Sequence, residues 1–246
     1  MTALEIAPHP SPNHGERREG PIDILLLHYT GMPDADAALA WLCDPASEVS
    51  SHYFVFEDGR VAALVPEDRR AWHAGRSRWG TCGDINSRAI GIEIANAGHP
   101  GGLPDYPDAQ IAALIALCGD VVARHPIPPN RVLAHSDVAP GRKRDPGEHF
   151  PWARLAAAGI GHWVAPDPPG AADDEALQLG DDGAPTLALQ QMLALYGYGI
   201  EITGAYDPGT QDVVTAFQRH FRPARVDGVA DGSTLTTLQR LIAALP

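Results

Sequence analysis

Three short stretches limit what this chain can fold into. Ile22 to Leu27, Ile90 to Ala95 and Arg131 to Ala134 read as strands, and each brings a titratable side chain with it. The first runs into His28 in LLLHYTG, the third into His135 in VLAHSD, and the second, IGIEIA, contains Glu93. A brief, nearly continuous apolar run suits a strand covered on both faces, so helices must flank the sheet. An ionised carboxylate inside such a strand costs several kcal/mol unless it is partnered or faces a wet cleft, which singles out Glu93.

The flanking elements are present. Ala35 to Cys43 has helical composition, and from Asp108 to His125 the residues Ile111, Leu114, Ile115, Cys118, Val121 and Val122 follow the spacing of an amphipathic helix, with Asp108 as its cap. Tyr53 to Phe56 and Val61 to Val65 read as a hairpin around Asp58-Gly59. Pro8 to Gly20 suits a surface arm or lead-in. These elements predict an α/β fold, a mixed central β-sheet flanked by helices, over residues 1–163. Proline, glycine and alanine then replace periodic apolar residues in VAPDPPGAA, a linker over 164–172. Residues 173–246 read as a small all-α unit of three helices, Thr186 to Leu195, Thr210 to Phe221 and Ser233 to Leu245. Gly204 to Gly209 and Asp227 to Gly232 resemble each other as an internal half-repeat.

The chain has 246 residues, 44% of them hydrophobic, which is enough for a sizeable core. Its net charge of −13 makes nucleic acid a poor partner. No stretch approaches the ~18 to 20 apolar residues of a membrane span, and the N-terminus lacks the pattern of an export signal, so membrane insertion is not expected. Cys43, Cys82 and Cys118 lack the spacing of a metal clip or a disulfide framework and read as reduced structural thiols.

Among eleven histidines, His28 and His135 stand apart because each ends a buried strand, where a sheet edge can aim two imidazoles at one point. Asp145 follows His135 by ten residues through the loop APGRKRDPG, short enough to return a carboxylate toward the strand end. Two imidazoles and a carboxylate form a donor set used by catalytic zinc, which takes three protein ligands at roughly 2.0 to 2.2 Å and leaves a fourth position for water. On the residues alone other readings stay open: Lys143 between Arg142 and Arg144 reads first as part of a solvated basic loop, and Glu93 as a structural carboxylate paired with Arg88 or another base.

The segments LLLHYTGM, SHYFVFEDG, AWHAG, SRAIGIEIAN, VLAHSDVAPGRKRDPG and FPW, in this order, resemble the zinc-dependent N-acetylmuramoyl-L-alanine amidases of the AmpD/AmiD type, whose fold is shared with peptidoglycan recognition proteins. The resemblance covers residues from about 10 to 163. LALQQMLALYGYG, AYDPGTQDVVTAFQRHF and VDGVADGSTLTTL resemble the three-helix peptidoglycan-binding domain appended to cell-wall hydrolases. The resemblance implies Zn2+ held by His28, His135 and Asp145, with Glu93 as the acid/base carboxylate and Lys143 as the second catalytic group beside the developing oxyanion. It implies hydrolysis of the amide between N-acetylmuramic (or 1,6-anhydro-N-acetylmuramic) acid and L-alanine of the stem peptide, on muropeptides or on the sacculus.

Four further residues complete the expected site: Trp72 and His73 lining the cleft, with Asn86 and Arg88 holding peptide carboxylates. His52 reads as structural, and Ser51 departs from relatives with tyrosine there, which leaves Glu93 as the base. Tyr198, Tyr206, Asp207 and Phe217 read either as a ligand groove or as core of the helical unit. The competing function is a non-catalytic peptidoglycan-binding or recognition protein, against which the complete set of ligands and catalytic groups argues. Lack of an export signal points to the cytoplasm and muropeptide recycling; a wall-binding domain points to the periplasm.

Overall fold

The computed structural model describes residues 4–18, 20–170 and 176–245. The strands are β1 (Ile6–Pro8), β2 (His14–Glu16), β3 (Ile24–Tyr29), β4 (Tyr53–Val55), β5 (Val61–Ala63), β6 (Arg69–Ala71), β7 (Ala89–Ile94) and β8 (Val132–Ala134). A six-stranded sheet runs in the order β1-β5-β4-β7-β3-β8. It is mixed, parallel throughout except for the β4–β5 hairpin. The three apolar runs occupy its centre and one edge, and β2 and β6 form a separate two-stranded ribbon.

The helices of the first unit are α1 (Ala35–Cys43), α2 (Ile85–Arg88), α3 (Asp108–Arg124), α4 (His135–Val138) and α5 (Trp152–Ala157). Strand alternation sorts the sheet into two faces. Leu25, Leu27, Ile90, Ile92 and Ile94 join Ile111, Leu114, Leu117, Cys118 and Val121 of α3 in one core. The other face carries Ile24, Leu26 and His28 beside Ala89, Gly91 and Glu93, in the register Ile24↔Ala89, Leu26↔Gly91, His28↔Glu93. Asp108 is the first residue of α3 rather than its cap. Pro107 holds the cap position, and the Asp108 carboxylate pairs with Arg154 at 2.7 Å.

Three helices follow, α6 (Ala184–Tyr196), α7 (Pro208–Phe221) and α8 (Gly232–Ala243). The half-repeat is explicit in their hydrogen bonds. Asp207 accepts from the Thr210 N–H at 2.7 Å and Asp231 from the Thr234 N–H at 2.8 Å, each capping its helix. Gln190 clasps the first turn by accepting from the Gly204 N–H and donating to Thr210; Gln218 does the same with Gly228 and Thr234.

The helical unit is not a separate body on a string. Leu193, Tyr196, Tyr198, Val214, Phe217 and Phe221 share a continuous core with Ile24, Leu26, Ala89 and Leu133 of the sheet. Tyr198, Tyr206 and Phe217 are therefore buried core and not a ligand groove, and Asp207 is a helix cap. The expected linker is fastened too: Trp163 and Val164 pack on this core, and the Asp167 carbonyl accepts from Ser233 at 2.6 Å. Residues 171 and 172 of the linker and the start of the helical unit at 173 lie outside the described residues. No helix of the described residues is long and apolar enough to cross a membrane. Cys43, Cys82 and Cys118 are free.

The polar N-terminal arm is ordered by side-chain bonds to backbone. Asn13 donates to the carbonyls of Asp44 and Val49, and the half-buried Arg17 donates to those of Glu67, Ser87 and Ala89. Glu67 ties β4 to the end of α3, accepting from Tyr53 Oη, Arg124 and His125, each at 2.7 Å. Burial alone would raise its pKa, but these donors outweigh burial and hold it at about 2, against an ordinary 4.5. A carboxylate whose folded pKa is depressed stabilises the fold above its unfolded pKa, and that contribution fades as pH falls from about 5 to about 2. Urea unfolding of Glu67→Gln should show a deficit of roughly 1–3 kcal/mol at pH 7 that shrinks across this window. A deficit independent of pH would mean that the carboxylate's charge is not what matters.

Candidate active site

Register sets the site. His28 of β3 stands opposite Glu93 of β7, and Leu27 opposite Ala134 of β8, so His135, the next residue, emerges at the same level. The loop after α4 returns Asp145 to this point, where the Ser136 N–H donates to its carbonyl. His28 Nδ1 lies 2.9 Å from His135 Nδ1 and 3.0 Å from Asp145 Oδ2, and His135 Nδ1 lies 2.9 Å from that same oxygen. All three side chains are buried.

The protons of these groups are directed away from the triangle. His135 Nε2 lies 3.0 Å from the Ala74 carbonyl, which can only accept, so its proton sits there and leaves a lone pair on Nδ1. His28 Nε2 faces His73 Nδ1 at 3.1 Å, and donation along that line likewise frees Nδ1. Burial and the neighbouring His135 push His28 down to about 4, so its ring is neutral near pH 7. With the rings in these tautomers two imidazole nitrogens and a carboxylate oxygen converge as acceptors, an arrangement that a shared cation relieves. Among the described residues these three form a group able to hold a metal ion.

They lie at the floor of a cleft of about 270 Å³. Glu93, Lys143, Trp72 and His73 line it, with Trp41, Met32, Leu42 and Val49 as an apolar wall. Glu93 Oε2 is buried with no hydrogen-bond partner, and burial, then the nearby Asp145 charge, raises its pKa well above the ordinary value.

The family model described as N-acetylmuramoyl-L-alanine amidase matches residues 18–148. A model for a peptidoglycan binding domain matches residues 182–238. The N-acetylmuramoyl-L-alanine amidase AmiD of Escherichia coli is 40% identical over 90% of this chain and 82% of its own. The chain belongs to the N-acetylmuramoyl-L-alanine amidase family. The 1,6-anhydro-N-acetylmuramyl-L-alanine amidase AmpD of Enterobacter cloacae is 32% identical over 60% of this chain and 87% of its own. Among solved structures, Escherichia coli AmiD in complex with anhydro-N-acetylmuramic acid-L-Ala-D-gamma-Glu-L-Lys superimposes with a TM-score of 0.76 at 39% identity, covering 90% of this chain and 89% of that one. AmpDh3 from Pseudomonas aeruginosa with anhydromuramic pentapeptide gives 0.71 at 31% identity, covering 93% and 92%.

Within the amidase, two of the expected substrate-binding residues lie elsewhere. Asn86 accepts from the His73 and Ala74 N–H groups at 3.0 and 2.8 Å and thereby holds the segment that meets His28 and His135. Arg88 pairs with Asp23 and donates to the Pro21 carbonyl at 2.8 Å, outside the cleft. Neither residue lines the cleft, and the Arg88 guanidinium is engaged by Asp23 and does not pair with Glu93. His52 is structural: its Nδ1 accepts from the Gly91 N–H at 2.9 Å and its ring is fully buried.

Sequence reasoning passed over two contributors, Gly91 and Trp41. Gly91 in IGIE lets His73 approach the strand, because a Cβ there would meet the ring at 2.6 Å; an interior strand glycine signals such an approach. Trp41 is 52% exposed at the cleft rim, on a helix whose apolar content otherwise reads as core. Lys143 is the only lysine in a chain whose other basic residues are all arginine, which sets it apart from an ordinary basic loop.

Proposed function

We propose that this amidase holds Zn2+ between His28, His135 and Asp145 and cleaves the amide joining 1,6-anhydro-N-acetylmuramic or N-acetylmuramic acid to L-alanine. The observation that carries the metal assignment is the convergence of His28 Nδ1, His135 Nδ1 and Asp145 Oδ2 at 2.9–3.0 Å from one another, nitrogen and oxygen donors of the kind that suit zinc. When bound, zinc acidifies a water and polarises the amide carbonyl. Glu93 would take a proton from the attacking water at its unpartnered, buried Oε2 and pass it to the departing L-alanine nitrogen, a role that its raised pKa supports. Lys143, on the cleft wall, places positive charge beside the oxyanion. Trp72 and His73 line the path of glycan and stem peptide.

Metal analysis combined with chelation tests this reading. A chelator should abolish cleavage of an anhydromuramoyl tripeptide, and added Zn2+ should restore it. Full activity in metal-free protein would overturn the assignment.

The anhydromuramoyl peptides held by the AmiD and AmpDh3 structures support small soluble fragments as substrates; a preference for such fragments over sacculi would fit recycling in the cytoplasm. Faster turnover of intact sacculi would favour the periplasm instead. Trp41, at the rim, offers a flat apolar face to a sugar ring, so Trp41→Ala should raise KM by roughly 2- to 10-fold with little change in kcat. Unchanged KM would remove Trp41 from the binding surface.

A further inference from the structure

One face of α7 touches the segment from His135 to Asp145 at several independent points. Asp137, two residues past His135, is completely buried. Its Oδ2 accepts from the Ala134 N–H at 2.8 Å, which fixes the start of α4. The same carboxylate accepts from Tyr198 Oη at 2.8 Å and from His220 Nδ1 at 2.6 Å, both in the helical unit. The His220 ring is 2% exposed and stacks on Trp152 at 3.7 Å between centroids, so it is held in place itself.

Two further contacts come from the same helix. Arg219 lies 3.5 Å from Glu148, which reaches His99 at 3.1 Å, and His99 in turn meets the Tyr29 hydroxyl at 3.0 Å, next to His28. Two turns earlier, Asp212 packs against Gly141, where any side chain would collide with its carboxylate. Gly141 sits in the loop that leads to Lys143 and Asp145.

The recipient of these contacts is held within its own unit by few bonds, chiefly Ser136 N–H to the Asp145 carbonyl and Arg142 to the carbonyls of Ala74 and Arg76. α4 is four residues long, too short for a helix to persist on its own bonds, and Ala139 to Asp145 lies outside every helix and strand. Ordering such a loop costs on the order of 1–2 kcal/mol per residue, which outside contacts must offset.

We propose that the helical unit positions the metal centre, with Tyr198 and His220, acting through Asp137, as positioning residues for His135 and its loop. This rests on the zinc site proposed above. The unit then has a role in every catalytic cycle, whether or not it touches cell wall.

The test uses the full chain. Tyr198→Phe removes one hydroxyl and keeps the ring, while His220→Leu removes the donor and keeps most of the volume. Zinc affinity is read by competition with a chelator, coordination geometry by the visible spectrum of the cobalt(II)-substituted protein, and kcat and KM on an anhydromuramoyl tripeptide. Each variant should bind zinc roughly tenfold more weakly, at the lower end of the effect of outer partners of metal ligands. The cobalt spectrum should change, and at saturating zinc kcat should fall with KM moved by less than about twofold.

His220→Asn, which keeps a donor near the position of Nδ1, should restore affinity and spectrum. Leu241→Ala, in the buried core of α8, should lower the unfolding temperature without altering either. Wild-type affinity and spectrum in both Tyr198→Phe and His220→Leu would overturn the proposal, as would equal losses in Leu241→Ala. Wild-type protein that binds no zinc would instead overturn the metal site itself, which is a separate result.

Discussion

Replacing Glu93 with alanine is expected to leave zinc fully bound and to lower kcat by about 10²- to 10⁴-fold, the range that positioned acid/base groups contribute. Glu93 is on β7, opposite His28, yet its carboxyl is not among the three converging donors. Metal content should therefore be insensitive to it. Stability should not fall much either. A buried carboxyl oxygen without a partner contributes a desolvation cost to the fold, and removing it offsets much of the packing lost. An unfolding temperature held or raised, together with collapsed turnover, is the signature of a group kept for chemistry. Near wild-type kcat in this variant would remove Glu93 from the mechanism and leave Lys143 as the remaining candidate among the cleft's charged groups.

His135→Ala should behave in the opposite way, losing metal and activity together. Its Nδ1 is one corner of the donor triangle, while its Nε2 ties the start of α4 to the Ala74 carbonyl, so the substitution removes a ligand and its anchor at once. Partners one bond removed from a metal are worth 10- to 100-fold in affinity or activity, and loss of a ligand itself should exceed about 100-fold. Because binding free energy adds to folding free energy, the variant should also lose the stabilisation that zinc confers on the parent, seen as an unfolding temperature that no longer responds to chelator. Retention of stoichiometric zinc and normal turnover in His135→Ala would show that the coordination sphere lies elsewhere.

Much of the site was legible because it is built on strands. The runs ending at His28 and His135 and the carboxylate in IGIEIA identify three neighbouring strands, and pairing register alone brings their polar side chains to one level. The long helix over Asp108–Arg124 and the bounds of Ala35–Cys43 follow equally from periodicity and composition. The short strands β1, β2 and β6 escaped notice because backbone pairing at an edge or in a ribbon needs no apolar pattern. Asn86 and Arg88 were misplaced for a related reason: polarity near a motif does not tell which backbone groups a side chain will satisfy.

By itself, then, the sequence determined the central strands and the longer helices, the candidate side chains on them and the family to which the chain belongs, since these depend on local periodicity and on motifs a few residues long. Only the tertiary structure decided that His73 rides over Gly91, that Trp41 stands at the cleft rim, and that the three-helix unit shares a core with the sheet and bonds to Asp137. Periodicity reports that a face is apolar but not what will cover it. That choice is made by shape and hydrogen-bond complementarity between segments far apart in the chain.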